Sequence, residues 1–328
     1  MPSTKEIRRR IKSIKSTRQI TKAMEMVSAA KMRKAQMQTL ATRAYASYAW
    51  QLIQNLSRQG GPSLHRLLRR PAKSQKALII LLTSNRGLIG GFNTNVTQAA
   101  IDYSKKYQTP DFITMGKKGR DVIRKLGFSI IADFEKRDAS SGVIDIQALA
   151  KLAVGDFVSG KYDRVAIIYM KFISTLVQKP TVVELLPLSP LPNTPPSSSA
   201  KATADRQGEG NTEVGSSPLL GEDKGLPAID LEPSGDWQAG GGEYLFEPTV
   251  GQVLEEVLPK LTVMQIYQAL LETNAAEHSA RMVAMKNASE SAADLVSELT
   301  LEFNQIRQGN ITKEISEIVS GKLALNQD

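Results

Sequence analysis

The stretch ITKAMEMVSAAKMRKAQ, residues 20–36, decides the fold. Its Ala, Met, Lys and Glu content favours helix, and neither Gly nor Pro interrupts it. Yet it lacks the wide apolar stripe that normally seats a single helix on a core. The same texture continues outward: from about Ser3 to Ser57 there is no Gly or Pro, so a helix there would run about 80 Å at about 1.5 Å per residue. Ser3 or Thr4 can cap its start, with Glu6 at capping-box distance from Ser3. Ile7, Ile11 and Ile14 keep coiled-coil spacing, and Ile20, Met24 and Val27 continue it after a slip. Beyond Ala29 the stripe turns to small residues.

Charge is concentrated on this segment. The chain has 328 residues and a net charge of +9, and residues 1–36 hold eleven Lys or Arg against Glu6 and Glu25, a local balance of 11 − 2 = +9. The remainder is therefore close to neutral. Such a segment suits a nucleic-acid arm, a membrane-surface helix, a targeting peptide or a helix meeting acidic protein. A nucleic-acid arm would want aromatic or amide base-readers or a recognised motif, and residues 1–36 contain no aromatic. A transit peptide would end, whereas the helical pattern runs through Glu25 and beyond. No apolar h-region follows the charges, and no run of about 18 apolar residues appears to cross a membrane. The chain is expected to be soluble or peripheral. With no cysteine, disulfides, thiolate metal sites and thiol switches are excluded.

From Ala77 the texture changes to short apolar runs separated by amphipathic stretches. ALIILLT (77–83), DFITM (111–115), FSIIADF (128–134), RVAIIYMKF (164–172) and TVVELLPL (181–188) read as strands. Helical stretches lie between them at Thr94–Tyr107, Lys117–Leu126 and Ile144–Ser159. Alternating strand and helix predicts an α/β sandwich with a largely parallel sheet. Residues 187–243 are rich in Pro, Gly and Ser, with nine Asp or Glu against three Lys or Arg, and are expected to be disordered. A second helical stretch runs from about Val250 to Leu323, interrupted by Pro259, Gly309 and Gly321. Its apolar positions are Leu295, Leu299, Phe303 and Ile306, then Ile311, Ile315 and Ile318. The expected domains are an N-terminal coiled-coil helix (1–58), an α/β domain (76–188), an acidic insertion (189–243) and a C-terminal coiled-coil helix (244–328). Two helices from opposite ends, each longer than the domain between them, are stabilised by winding together as an antiparallel coiled coil.

Little in the sequence points to catalysis. TSNRGLIGGFN (83–93) follows a strand and precedes a helix, but fits neither phosphate-loop pattern, so a tight turn is the stronger reading. GKKGRD (116–121) likewise reads as a helix-opening turn. His65 and His278 have no Cys or second His at ligand spacing, which argues against a metal. No nucleophile stands with a motif-placed base. No cofactor, metal site or catalytic residue is expected.

Three motifs, KEIRRRIKSIKSTRQITKAMEMVSAAKMRKAQ, TSNRGLIGGFN, and EHSARMVAMKNASESA with FNQIRQGNITKEISEIVSG, closely resemble, in the same order, the gamma-subunit family of F-type ATP synthases. The resemblance covers the chain except residues 189–243. It implies a Rossmann-like α/β domain and a coiled-coil rotor shaft inside a hexamer of alternating alpha and beta subunits. The epsilon subunit and the membrane c ring would lie below, with the delta subunit in the same complex, and the chain would catalyse no bond change itself. Proton flow would turn the ring and shaft, whose asymmetric surface drives the beta sites through different affinities. The location implied is the cytoplasmic face of a bacterial plasma membrane, or a thylakoid membrane. A shaft turning in a close-fitting sleeve is served by small and polar residues, because each deep apolar contact would add a barrier at every step. Its cations can attract acidic loops over a graded distance.

Residue by residue, Arg307, Gln308 and Thr312 match the family's contacts with a loop of the surrounding subunits. Met24 and Arg281 match positions that couple the two terminal helices and face the beta subunit; Met24 reads equally well as coiled-coil core. Tyr244 and Glu247 in YLFEP match the patch near epsilon and the c ring, and Phe246 replaces a Tyr, losing its hydroxyl. The 189–243 segment departs from the short loop of most bacterial relatives. The chloroplast redox switch held in a comparable insertion is impossible without cysteine.

Overall fold

The computed structural model describes residues 4–60, 66–68, 75–136, 143–188 and 250–325. Helices α1 (Thr4–Gly60) and α5 (Val250–Leu325) have 57 and 76 residues. Between them come β1 (Lys76–Leu82), α2 (Phe92–Ser104), β2 (Thr109–Met115), α3 (Lys117–Lys125), β3 (Ser129–Phe134), α4 (Val143–Val158), β4 (Arg164–Phe172) and β5 (Gln178–Leu186). The strands form one sheet in the order β3-β2-β1-β4-β5. The first four are parallel, and β5 closes the edge as an antiparallel hairpin with β4. This is the mixed α/β architecture that the alternating pattern predicts.

The apolar run of β1 is buried on both faces because helices cover a parallel sheet on each side. On one face Ile79, Leu81, Phe112, Ala166 and Ile168 pack with Phe92, Val96 and Ala100 of α2 and with Ala276 of α5. From β1 the chain steps outward through β2 and β3, then returns through α4 to β4 on the other side of β1. The direction therefore reverses between β1 and β4, which opens a crevice at their carboxyl ends. Helix α5 fills that crevice: Glu272 hydrogen-bonds Tyr169 of β4, and four residues on, Ala276 joins the cluster on the opposite face.

The terminal helices pair antiparallel. The Arg8 guanidinium lies 5.4 Å from the Phe303 ring centre, and Lys31 acts electrostatically on His278. Moving 23 residues forward along α1 thus moves 25 back along α5. The least exposed residues of α1 follow a heptad rhythm through Ile7, Ile11, Ile14, Thr21, Glu25, Ser28, Met32 and Ala35. On α5 the same rhythm passes through Met285, Ser289, Ala292, Val296, Leu299, Phe303 and Ile306.

Three expectations are corrected here. The seam does not pass through Ile20 and Val27, which are 61% and 56% exposed; uninterrupted heptad counting from Ile14 leads instead to Thr21, Glu25 and Ser28. Nor are Ile311, Ile315 and Ile318 part of the pairing. The register sets the start of α1 level with residue 306 or so, and every residue from 307 to 320 is exposed. Pro259 and Gly309, expected as interruptions, lie within the continuous α5. Ile7, 1% exposed, is expected to cost about 2–5 kcal/mol on truncation to Ala. Ile20→Ala should stay within about 0.5 kcal/mol. Denaturant titration of the two variants checks this, and equal losses would contradict the seam.

Candidate functional site

Around the seam, all eleven basic side chains of residues 1–36 are exposed. Most have no acidic partner within their own helix; Arg10 reaches Glu6 at 2.8 Å and Lys22 reaches Glu25 at 3.1 Å. The second carboxylate oxygen of Glu25 is buried in the seam with no hydrogen-bond partner. The shaft thus presents positive charge around a narrow, partly polar seam.

The structure scatters the predicted contact residues. Arg307, Gln308 and Thr312 lie together on the exposed end of α5 beyond the reach of α1, where the Thr312 hydroxyl donates to the Gln308 carbonyl at 3.0 Å. Met24 is half-buried beside the seam residue Glu25. Arg281 lies far along α5 from the Arg307 group but, by the register of the pair, within about two turns of Met24; its side chain is only 12% exposed and its guanidinium donates to Glu277 at 2.7 Å. Tyr244, Phe246, Glu247 and the expected insertion lie outside the described residues.

Arg281 belongs to a buried cluster that sequence reasoning missed. Lys136, just after β3, donates to the other oxygen of Glu277 at 2.6 Å, with 2% and 4% of the two side chains exposed. The Lys136 carbonyl accepts from the Asn85 amide at 2.5 Å, which pins it over the carboxyl edge of the sheet. Two residues along α5, the Ser279 hydroxyl donates to the Thr175 carbonyl at 2.7 Å and accepts from Gln178 at 3.4 Å, both on the β4–β5 hairpin. A cleft of about 290 Å³ adjoins this contact, lined by Ile89, Phe92, Met170, Leu176, Ala280 and Val283 among others. The one sequence signal was the lone acid of NAAEHSA among small residues on a long helix.

Burial alone would raise the Glu277 pKa, but Lys136 and Arg281 outweigh it and hold the carboxyl at about 2, against an ordinary 4.5. Burial lowers His278 from 6.5 to about 4; Glu277 opposes this, while Arg281, Lys136 and Lys31 reinforce it. Neutral His278 offers Nδ1 to Arg281 at 3.4 Å. Both shifts destabilise the fold in acid. The contribution of Glu277 is complete above pH 4.5 and lost as pH falls through 2. The unfolded chain protonates His278 first, so stability falls as pH drops from 6.5 towards 4. The thermal midpoint is expected to fall across that upper window, and less steeply in His278→Gln. Identical slopes would contradict the assignment.

The Gly-rich segment is spent on a turn. Ser84 and Asn93 hydrogen-bond each other, and the Ser84 hydroxyl donates to the Arg86 carbonyl at 2.6 Å. Leu88 and Gly90 carry positive φ angles of 62° and 55°. Among the described residues no helix is long and apolar enough to cross a membrane.

Residues 3–325 match the family described as ATP synthase. An ATP synthase gamma chain of Roseiflexus sp. is 39% identical over 99% of each chain, and one of Pelotomaculum thermopropionicum is 39% identical over 99% of this chain and all of its own. Among solved structures, a chain of the Euglena gracilis mitochondrial ATP synthase, OSCP/F1/c-ring in rotational state 3, has a TM-score of 0.61 at 19% identity, over 98% of this chain and 94% of its own. A chain of the rotor of the same synthase in rotational state 1 has a TM-score of 0.57 at 18% identity, over 94% of this chain and 98% of its own. These two likenesses concern the fold.

Proposed function

Given that the chain belongs to the ATP synthase family and matches its gamma chains end to end, we propose that it is the central rotor shaft of an F-type ATP synthase, coupling proton flow through a c ring to ATP synthesis at beta subunits. The observation that carries this is the antiparallel pair of terminal helices, ringed by exposed cations and ending in an exposed single helix. A pair built this way suits a sleeve in which no position is permanently locked. Its own residues form and break no bond of ATP; the chain acts by favouring one beta-site conformation over another at each angle, by no more than its contacts differ between them.

In this reading Arg307, Gln308 and Thr312 on the exposed end of α5 form a polar catch against the alpha and beta subunits, and Met24 faces the same hexamer. Arg281 couples the two terminal helices and faces that hexamer with Met24, and through Glu277 it also braces the place where shaft and body meet. Tyr244, Phe246 and Glu247 would meet epsilon and the c ring, with delta in the same complex. The chain would work as a peripheral protein at the cytoplasmic face of a bacterial membrane. The 189–243 segment would be an insertion that modulates idle hydrolysis; unchanged hydrolysis and inhibition after deletion of residues 191–241 would dispose of that role.

The test is ATP hydrolysis by co-expressed alpha and beta subunits with and without this chain, after size exclusion. One copy should join each alpha–beta hexamer, and sustained hydrolysis should depend on it. Folded partners that neither bind the chain nor change activity would overturn the proposal. Arg307→Ala with Gln308→Ala should weaken assembly or coupling while the circular dichroism of the chain is unchanged, because neither side chain supports the fold; normal proton pumping would remove the catch.

A further inference from the structure

We propose that the turn of α5 from Ala276 to Arg281 is the joint that fixes the angular setting of the α/β body on the paired helices, with the Lys136–Glu277 pair and the Ser279 hydroxyl as its two latches. The inference rests on the rotor reading, since it concerns how rotation entering through the body reaches the shaft.

The apolar part of this contact is made by small side chains, with Ala276 in the sheet cluster and Ala280 and Val283 in the cleft. Apolar burial resists separation, but it is non-directional and opposes rotation of a helix about its own axis only weakly. The polar contacts supply direction. Residues 277 and 279 are two apart, which at 3.6 residues per turn places them about 200° apart around α5. Lys136 grips from the β3 side and the β4–β5 hairpin from the other. A twist that relaxes one latch therefore strains the other.

The ionic latch is stiff because it is dry. With both side chains almost wholly buried, a displacement leaves charge without water or partner, and the energy rises steeply in a low-dielectric interior. Arg281, one turn along, holds the second oxygen of Glu277 and so sets the direction in which the carboxylate faces Lys136. Asn85 fixes the Lys136 backbone to the loop after β1 and also accepts from the Lys117 backbone at the start of α3. Each latch is thus anchored in the sheet, and α5 continues unbroken from this turn to the exposed end.

The experiment uses the assembled complex with its c ring in sealed vesicles. The chain has no cysteine, so one label at exposed Lys106 on the body and one at exposed Leu301 on α5 report the angular setting by electron-spin distance measurement. The parent should give a narrow distance distribution. Lys136→Met with Ser279→Ala should broaden or shift it, and should lower severalfold the proton gradient sustained per ATP hydrolysed. Lys136→Arg, which keeps the cation, should restore both partly. A purely structural role would reduce the yield of complex but leave both readouts at parent values in the complexes that form, and that result overturns the proposal. If the double variant does not assemble, Ser279→Ala alone decides by the same two readouts. Failure of the rotor reading looks different, because the parent chain itself would then neither assemble nor pump.

Discussion

Glu277→Gln is expected to destabilise the chain by about 3–5 kcal/mol, the usual result of removing one member of a buried ion pair. The loss comes less from the missing attraction than from what is left behind. Lys136, with 2% of its side chain exposed, would be an ammonium without a counter-charge, and Arg281 would lose the same partner. Lys136→Met is the milder change, because Glu277 keeps its 2.7 Å contact with Arg281. Adding Lys136→Met to Glu277→Gln should therefore recover part of the loss. Urea unfolding of the four proteins forms a double-mutant cycle. Additive losses would mean that the two charges are not coupled, and the ionic latch would fall with them.

Gly116→Ala should cost about 2–6 kcal/mol, combining about 1–3 for overpacking with about 1–3 for backbone strain. Gly116 leads from β2 into α3 at φ 113°, where an added Cβ would lie 2.4 Å from the Thr83 carbonyl oxygen. Neither side can give way easily. The Thr83 amide donates to the Met115 carbonyl, its hydroxyl donates to the Gly116 carbonyl at 3.1 Å, and that hydroxyl accepts from the Gly119 amide at 2.9 Å. The carboxyl edges of β1 and β2 are tied together there. Loss of soluble expression, or a large fall in the urea midpoint, is the expected result; a near-neutral Ala would show that the turn relaxes freely.

The elements were legible because each has a period. The strand read at 164–172 is β4, and the helix read at 117–126 is α3 but for one residue, since short apolar runs and amphipathic stretches leave little choice of state. The seam was misread at Ile20 and Val27 because apolarity and burial part company there. Thr21, Glu25 and Ser28 occupy the inward positions of an unbroken heptad, and no hydropathy signal marks them. The end of α5 was misread for a different reason: Ile311, Ile315 and Ile318 are correctly spaced, but periodicity gives a face, not a partner. The joint was beyond reach, because Lys136 and Glu277 are 141 residues apart and nothing local to either names the other.

The antiparallel pairing also dictates an order of events during biosynthesis. Everything that α1 pairs with is translated after the whole α/β body, and the stretch of α5 level with Ile7 and Ile11 emerges later than the stretch level with Met32 and Ala35. The α/β body, whose contacts are nearer in sequence, can form while the ribosome is still working. Throughout that interval residues 4–36 are a strongly cationic segment with Ile7, Ile11 and Ile14 uncovered, beside a highly anionic particle of RNA. Completion then proceeds as a closing zip, from the body outward towards the free end.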